Sequence, residues 1–481
     1  MPDSTHPIVN FGGNIRFTPR HLYTPRTEAD VLAILDHHAL GKVRVMGALH
    51  SWNAAMASPD ALIDLRHFNR LDVQHDADGV AWATVGGGCR IKHLLQKLHR
   101  RTRHSIPTMG LITEQTIAGA ISTATHGSGR HSLSHYMDEI RVAAFDPESG
   151  KARIYNWKTG DELRAARCAL GCLGIILSVC FRCIPQFDVA ETIVPIANLE
   201  DVLNDEAAFP LQQFYLIPHA WSFFVQRRVV VPVRRRWRFG RAFLYRAYWP
   251  FGIDIGLHLL IKLLAAVLQR PKLTRAFFRR VFPKLILTNT TVIDRAERML
   301  VMHHELFKHL EIELFVPARH LRAAAEYIRC VLDVLAGSTS ELPDELAASV
   351  NAIGMADELH HLRGSFTHHY PIAFRRVLPD DAMISPCSGS DEAYYAISFI
   401  TYVEPRDRFL DMACFLAHST AQLFQARLHW GKYFPLVEAE VERLYPRLPE
   451  FRTLCERIDP NGVFRSEFME RILFQHRPST P

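Results

Sequence analysis

Up to about residue 186 the apolar positions come in short runs, some at helical spacing and some at strand spacing. Val31, Leu32, Ile34 and Leu35 share one face of a 3.6-residue period, which predicts a helix over Thr27–His38 opened by Thr27, with Glu28 in its first turn. Val43–Met46 reads as a strand ending at Gly47. Ala61–Leu65 and Ala81–Val85 read as further strands, the second stopped by Gly86-Gly87-Gly88. Ile91–His99 is an amphipathic helix. Val142–Phe145 and Arg153–Tyr155 form a hairpin around Asp146–Gly150, Asp161–Arg167 is a helix, and Gly174–Cys183 is a strand. Beyond about residue 190 the elements lengthen, with strands at Ile312–Val316 and Tyr395–Tyr402 and helices at His320–Ala336 and Leu436–Leu444. A domain boundary is therefore expected near 188–195. The chain contains no internal repeat or low-complexity tract.

Composition narrows the class. A chain of 481 residues, 48% hydrophobic and 22% charged, has material for a large core and exceeds the usual single-domain size. The net charge of +6 is mild, but the basic residues concentrate at 228–246 and 270–280. Nine cysteines without regular spacing do not form a disulfide framework. Cys180 and Cys183 make a CxxC, but the alternation around them reads as a strand, and no His pair accompanies them, so no metal site is expected. The opening MPDSTHPIVNFGGN has no basic region followed by an apolar run, and no uncharged stretch reaches the ~20 residues that span a bilayer. The expectation is a cytoplasmic protein.

Two stretches carry candidate chemistry. Val43-Arg44-Val45-Met46-Gly47-Ala48-Leu49-His50-Ser51 is a strand ending in a small-residue turn, whose backbone N–H groups suit a pyrophosphate or an isoalloxazine edge. Ile106–Gly129 is low in charge and dense in Gly, Thr, Ser and Ala, and its segment Thr116–Gly129 sets Thr116, Ser122, Thr123 and Thr125 among Ala118, Gly119 and Gly127. Such a loop lets backbone come close to a ligand. Neither stretch is GxGxxG or GxxxxGK, so a nicotinamide Rossmann site and a kinase-like loop find no support.

With these residues in view, the chain resembles the FAD-linked oxidases of the vanillyl-alcohol oxidase superfamily, and within them the aldonolactone and alditol oxidases. The matching stretches run in order from Phe11–Phe17 and Pro25–Val31 through Gly47–Ser51, Ile63-Asp64-Leu65, Val85–Gly88, Thr116–Gly129 and Leu170–Ile176. They end with His429-Trp430-Gly431-Lys432 and Asp459–Phe464. The resemblance implies an α+β fold: a two-subdomain, PCMH-type FAD-binding domain, and a C-terminal cap domain built on an antiparallel sheet with flanking helices. The expected boundaries are 1–190 for the FAD domain, 191–425 for the cap and 426–481 for a segment returning to the FAD domain. It implies FAD held by Gly47, Ala48, Leu49, His50 and Ser51, by Gly110, Thr116, Ala118, Gly119, Ser122, Thr123, Thr125, His126 and Gly127, by Gly174 and Ile175 along the adenosine half, and by Lys432. His50 stands where many relatives carry an 8α-histidyl bond to the flavin. The Ile106–Gly110 stretch lacks the cysteine of doubly attached relatives.

Oxidation of an alcohol carbon requires a hydride sent to the flavin, a base for the hydroxyl proton and positive charge near the reduced ring. By resemblance Lys432 supplies that charge or activates the substrate oxygen, and Arg375 binds substrate. Arg375, Asp380-Asp381 and Ser385-Pro386-Cys387 match the cap motif, but Ala373 replaces its glutamate. The carboxylate that would hold a polyol hydroxyl is thus expected to be missing, and a base to come from His368, His369 or His429. Glu311 and Glu313 share one side of their strand and form a second polar face, turned to the site or to solvent.

The leading expectation is an FAD-dependent oxidase or dehydrogenase acting on a hydroxyl-bearing carbon of a sugar lactone, polyol or related alcohol. Its electron acceptor would be oxygen or a redox partner, and nucleic acid is not a partner. A flavin-dependent oxidase or reductase of a lipid or isoprenoid substrate, and a catalytically decayed flavin-binding protein, are the other readings. The lipid reading draws on residues 231–282, where Arg234-Arg235-Arg236-Trp237-Arg238 and Tyr245, Tyr248 and Trp249 precede the apolar Gly256–Leu268, and Arg270–Arg280 closes the segment. The pattern suits peripheral contact with a membrane surface.

Overall fold

The computed structural model describes residues 6–232, 245, 247–248, 255–264, 270–302 and 308–475. The N-terminal part contains two main sheets, besides two short two-stranded ribbons, among the described residues. The smaller is parallel, with β3 (Ala61–Asp64) between β1 (His21–Tyr23) and β2 (Val43–Met46). Helix α1 (Glu28–His37) precedes β2 and begins at a capping box in which Thr27 and Asp30 satisfy each other's backbone amides. The larger sheet is antiparallel. It is built from β4 (Leu71–His75), β5 (Ala81–Gly86), β6 (Met137–Phe145), β7 (Ala152–Trp157) and β8 (Ile175–Arg182), in the order β7-β6-β8-β5-β4. The amphipathic helix α2 (Ile91–Thr102) buries Ile91, Leu94, Leu95 and Leu98. A six-residue helix, α3 (Ile117–Ser122), opens at Thr116, whose hydroxyl accepts from the Gly119 amide, and α4 (Gly160–Arg167) follows β7.

An eight-stranded antiparallel sheet forms the base of the C-terminal part. Its strands are β9 (Asp188–Ile196), β10 (Gln213–Leu216), β11 (Phe223–Val231), β12 (Thr291–Arg295), β13 (Leu310–Pro317), β14 (Ile372–Val377), β15 (Tyr394–Thr401) and β16 (Arg427–Leu428), in the order β12-β9-β11-β10-β14-β15-β13-β16. Helices α8 (Leu321–Leu335) and α9 (Asp407–Phe424) pack on one face against Ile312, Leu314, Phe374 and Phe399. Side chains alternate across a strand, so residues of the other parity face the N-terminal part. Register places Glu313, Ser398, Ala373, Tyr215 and Phe224 in one row across that second face. Phe315, Ala396, Arg375, Gln213, Gln226 and Ile193 form the next row.

The described parts of the insert lie over the far end of this face. Helices α5 (His258–Lys262), α6 (Pro271–Arg280) and α7 (Phe282–Leu285) bury Ile261, Phe277, Phe278 and Phe282 in a cluster with Ile193, Ile217 and Phe224. Arg234–Arg238 and Trp249 lie outside the described residues. No described helix is long and apolar enough to cross a membrane.

Candidate active site

The first side of the site is a cleft of about 360 Å³ in the N-terminal part. Its walls include Gly47, Ala48, Leu49, His50 and Ser51 after β2, Thr116, Ala118, Gly119, Ser122 and Thr123 around α3, and Gly174 and Ile175 at the start of β8. His429, Gly431 and Lys432 reach it from beyond β16. Small residues at these places let the segments close on one another. A Cβ on Gly88 would sit 1.9 Å from the Leu65 carbonyl, and one on Gly87 2.2 Å from that of Ile176. A Cβ on Gly119 would meet only the Thr116 hydroxyl, at 3.1 Å, leaving that part of the wall open to a planar group.

Sequence reasoning missed several cleft residues: Arg44, Arg66, Arg90, Trp52 and Gln115. The charged side chains on the lining are Arg44, Arg66, Arg90 and Lys432 against the single carboxylate of Asp64, a balance that suits a diphosphate. Arg44, buried inside a strand of apolar neighbours, donates to the carbonyls of Ala55, Gly171, Leu170 and Phe464. A charge inside a short hydrophobic run was the signal available for it. This lining of glycines, hydroxyls, backbone amides and cations matches what FAD requires.

His50 follows Leu49, which holds a left-handed backbone at φ 58°. That conformation is costly for a branched side chain, and it is held by the Leu49 carbonyl accepting from the Phe11 amide at 2.8 Å. The His50 ring stacks on Phe11 with centroids 4.7 Å apart. Burial pushes its pKa down to about 4, so the imidazole is neutral near pH 7.

Not every expected cofactor residue lines the cleft. Gly110, Thr125, His126 and Gly127 form a layer behind it, where a Cβ on Gly110 would strike Thr125 at 2.5 Å and one on Gly127 the Met109 carbonyl at 2.5 Å. Ala124, left-handed at φ 55°, turns the chain away after α3. His126 thereby points at the cap sheet rather than the cleft. Arg375 also lies outside the cleft and borders a second, water-sized cavity of about 20 Å³ with Gly127, Gln213 and Arg228.

The sheet face supplies the other side of the site, and here the sequence expectation is corrected. Ala373 removes one carboxylate, but Glu313, in register with it two strands away, provides another. Glu311 and Glu313 are both buried and turned to the site, not to solvent. Glu313 Oε1 accepts from the Ser398 hydroxyl at 2.7 Å and from Arg375 Nη1 at 3.3 Å, and lies 3.5 Å from His126 Nε2. Burial raises the Glu313 carboxyl, but His126, His429 and Lys432 reverse this and hold it well below the usual range. Glu311 pairs with the Lys432 ammonium, which rests 4.3 Å from the centre of the Trp52 ring. Burial raises Glu311 as well, and Lys432 and His309 bring it down to about 2.

The histidines divide. His429 Nδ1 accepts from the Gly431 amide at 2.9 Å, and burial pushes its pKa down to about 3, so the neutral ring carries its proton on Nε2 and acts as a donor. His368 and His369 are corrected as base candidates. His368 packs against Phe366 and Phe399 on the helix-covered face, and His369 bonds the Thr401 hydroxyl. Nitrogens of His126 and His429 and an oxygen of Glu313 lie within 4.8 Å of one another, a spacing a metal could bridge. However, Oε1 already receives Ser398 and Arg375, and a second cation there would face the guanidinium.

A glycine-rich cleft with a half-buried histidine on its first loop, closed on one side by the segment that follows a polar antiparallel sheet, defines an FAD-linked oxidoreductase. Two family models match the chain: an FAD binding domain over residues 19–146 and D-arabinono-1,4-lactone oxidase over residues 179–472. The chain belongs to this family of aldonolactone oxidase-like flavoproteins, which act on CH–OH groups. A long-chain alcohol oxidase from an uncultured marine euryarchaeote is 46% identical over 468 residues, covering 96% of each chain. L-gulonolactone oxidase of Mus musculus is 23% identical over 95% of this chain and 96% of its own, and alditol oxidase of a Streptomyces species is 24% identical over 97% and 99%. Cholesterol oxidase from B. sterolicum shares the fold, with a TM-score of 0.72 at 13% identity over 97% of this chain and 96% of its own.

The Glu311–Lys432 pair generates a stability prediction. Glu311→Gln leaves a buried ammonium without its counter-charge and should cost about 3 kcal/mol, as should Lys432→Met. The double variant should lose less than the sum of the two, as read from urea unfolding at pH 7. Because the folded pKa of Glu311 is depressed from 4.5 to about 2, its contribution is present above pH 4.5 and should drain away as pH falls toward 2. Additive single effects would show that the pair is not coupled.

Proposed function

We propose that the protein oxidises a hydroxyl-bearing carbon on a long, largely apolar alcohol, with FAD bonded to His50. The observation that carries this reading is the division of the sheet surface that faces the N-terminal part. Its carboxylates gather at Glu311 and Glu313 beside Ser398 and Arg375, while the Ala373 row runs through Tyr215 to Phe224, which packs with Ile193 and the insert's phenylalanines; Gln213 and Gln226 in the next row are bonded to each other. A polyol or sugar lactone carries oxygen on nearly every carbon, and each buried hydroxyl left unpaired costs about 1–3 kcal/mol. A single-hydroxyl substrate needs only the one polar end. The 46% identical relative, a long-chain alcohol oxidase, supports the same class.

FAD, when bound, supplies the two-electron oxidant. The Gly47–Ser51 turn, Thr116–Thr123 and the Gly174-Ile175 backbone hold it, and Arg66 and Arg90, paired with Asp64 and Glu114, border its phosphates. Neutral His50 keeps a ring nitrogen lone pair for the covalent bond. Lys432, fixed between Glu311 and Trp52, offers a standing positive charge for the electron-rich reduced ring. His429 Nε2–H, on the cleft lining, donates to the substrate oxygen, and Arg375 steadies the Glu313 carboxylate beside it. Molecular oxygen is the acceptor, as the oxidase names of the relatives suggest.

A specific surface feature favours contact with a lipid layer. Leu259, Leu263, Leu273, Val281, Leu285 and Leu287, all on or beside α5–α7, are each 40–55% exposed. Exposed Lys272, Arg280 and Lys284 lie among them. Apolar side chains interspersed with cations suit shallow insertion into an anionic surface, from which a long-chain alcohol would be drawn.

Three outcomes are expected. The purified protein should stay yellow after acid precipitation, and His50→Ala should release its flavin into the supernatant; full release from the wild type would end the covalent reading. In anaerobic mixing, 1-dodecanol should bleach the flavin at least ten-fold faster than sorbitol or a gulonolactone at equal concentration, and the reverse order would return the substrate to the polyols. Liposomes rich in phosphatidylserine should carry the protein upward in flotation at low salt. Leu273→Asp with Leu285→Asp should abolish this, and a wild type that remains at the bottom would remove the lipid contact.

A further inference from the structure

The alcohol reading leaves the hydroxyl proton without an acceptor, because His429 is a donor and Lys432 is held in an ion pair. We propose that Glu313 accepts this proton at Oε2 and is the catalytic base. The inference rests on the alcohol-oxidising reading above and adds to it the one group that must touch the reacting hydroxyl.

The two oxygens of Glu313 have different surroundings. Oε1 is anchored by Ser398, Arg375 and His126. Oε2 accepts no hydrogen bond from any described residue, in a cluster where the neighbouring polar groups are donors. The carboxylate is therefore fixed in orientation by one oxygen, and the other meets no donor among the described residues. The Nε2–H of His429, which lines the cleft with a ring nitrogen within 4.8 Å of a Glu313 oxygen, can hold the substrate oxygen while its proton leaves.

His126 is a poor rival for this role. Its Nδ1 lies 2.9 Å from the Gly127 carbonyl and its Nε2 faces Glu313, so both nitrogens are already engaged by protein oxygens and neither is turned to the cleft. Glu311, the other nearby carboxylate, is committed to Lys432 and sits toward His309, away from Arg375. Burial also fits: a carboxylate at 2% exposure is shielded from competing water.

The step balances as follows. The substrate O–H bond breaks and its proton bonds to Glu313 Oε2. The adjacent C–H bond breaks with its electron pair leaving as hydride to the flavin, and the C–O bond becomes a carbonyl. The alcohol is oxidised by two electrons and the flavin is reduced by two. A weakly basic carboxylate suffices, because hydride loss makes the hydroxyl strongly acidic as the carbonyl forms.

The test is rapid anaerobic mixing of the holoenzyme with 1-dodecanol, together with calorimetric binding of a tertiary alcohol of similar length that has no hydrogen to lose. Glu313→Gln should slow flavin reduction by ~10³-fold, while flavin content and tertiary-alcohol affinity change less than three-fold. Should that variant fail to fold, Glu313→Asp keeps the charge facing His126 and Arg375 but withdraws the oxygen, and should still be slowed by ~30-fold or more. The groups facing Glu313 are Glu311, His126, Arg375, His429 and Lys432; with the carboxyl held low, the wild-type rate should stay flat from pH 5 to 9. A rising limb between pH 6 and 8, or a Glu313→Asp variant as fast as wild type, would overturn the assignment in favour of a histidine base. Loss of tertiary-alcohol binding in both variants would make Glu313 a binding group instead. If no alcohol of any length reduces the wild type, the functional reading fails, and the base assignment with it.

Discussion

Two carboxylates, Glu311 and Glu313, lie buried on the same side of one strand, and the site is organised around satisfying them. Neither could remain charged out of water without cations at close range. Their partners come from three separate regions. His126 belongs to the loop behind the cofactor cleft, Arg375 to a central strand of the cap sheet, and Lys432 to the segment after its last strand. The same interactions that neutralise the strand therefore dock the cap sheet against the cleft. Binding and architecture share one set of charges, so the site's polarity cannot be altered without loosening the seam between the two parts.

The cofactor half was largely legible from the sequence because its signal is local. Close approach of backbone segments requires small residues at consecutive positions, and Gly47–Ser51 and Thr116–Thr123 state this openly. What the sequence did not reveal was where the loop stops facing the ligand. Left-handed Ala124 redirects the chain, so Thr125, His126 and Gly127 serve the layer behind although their composition matches their neighbours. An alanine gives no warning of that turn.

The substrate half was harder to read because its geometry depends on register between distant strands. Alternation places Glu311 and Glu313 on one side, yet nothing in the local pattern says whether that side is wet or buried. The loss of glutamate at position 373 suggested a missing charge. Only the pairing of Ala373 with Ser398, and of Ser398 with Glu313, reveals that the charge has moved two strands along the same row. The histidines illustrate the converse. His368 and His369 looked available for chemistry but belong to the helix-covered face, where they are core residues.

Arg44 has a consequence for how the protein comes to hold its cofactor. Its guanidinium joins an early strand to the Leu170-Gly171 loop and to Phe464, and the Val43 amide also donates to the Val463 carbonyl. Trp52 and Asn53 are tied to Gly431, Trp430 and Lys432 in the same way. One wall of the cleft is thus assembled from residues more than four hundred positions apart. During synthesis the amino-terminal strands emerge long before their partners, and the cradle has no floor until residue 464 has left the ribosome. A product ended before residue 464 lacks that wall of the cleft and leaves the Arg44 guanidinium without one of its carbonyl partners.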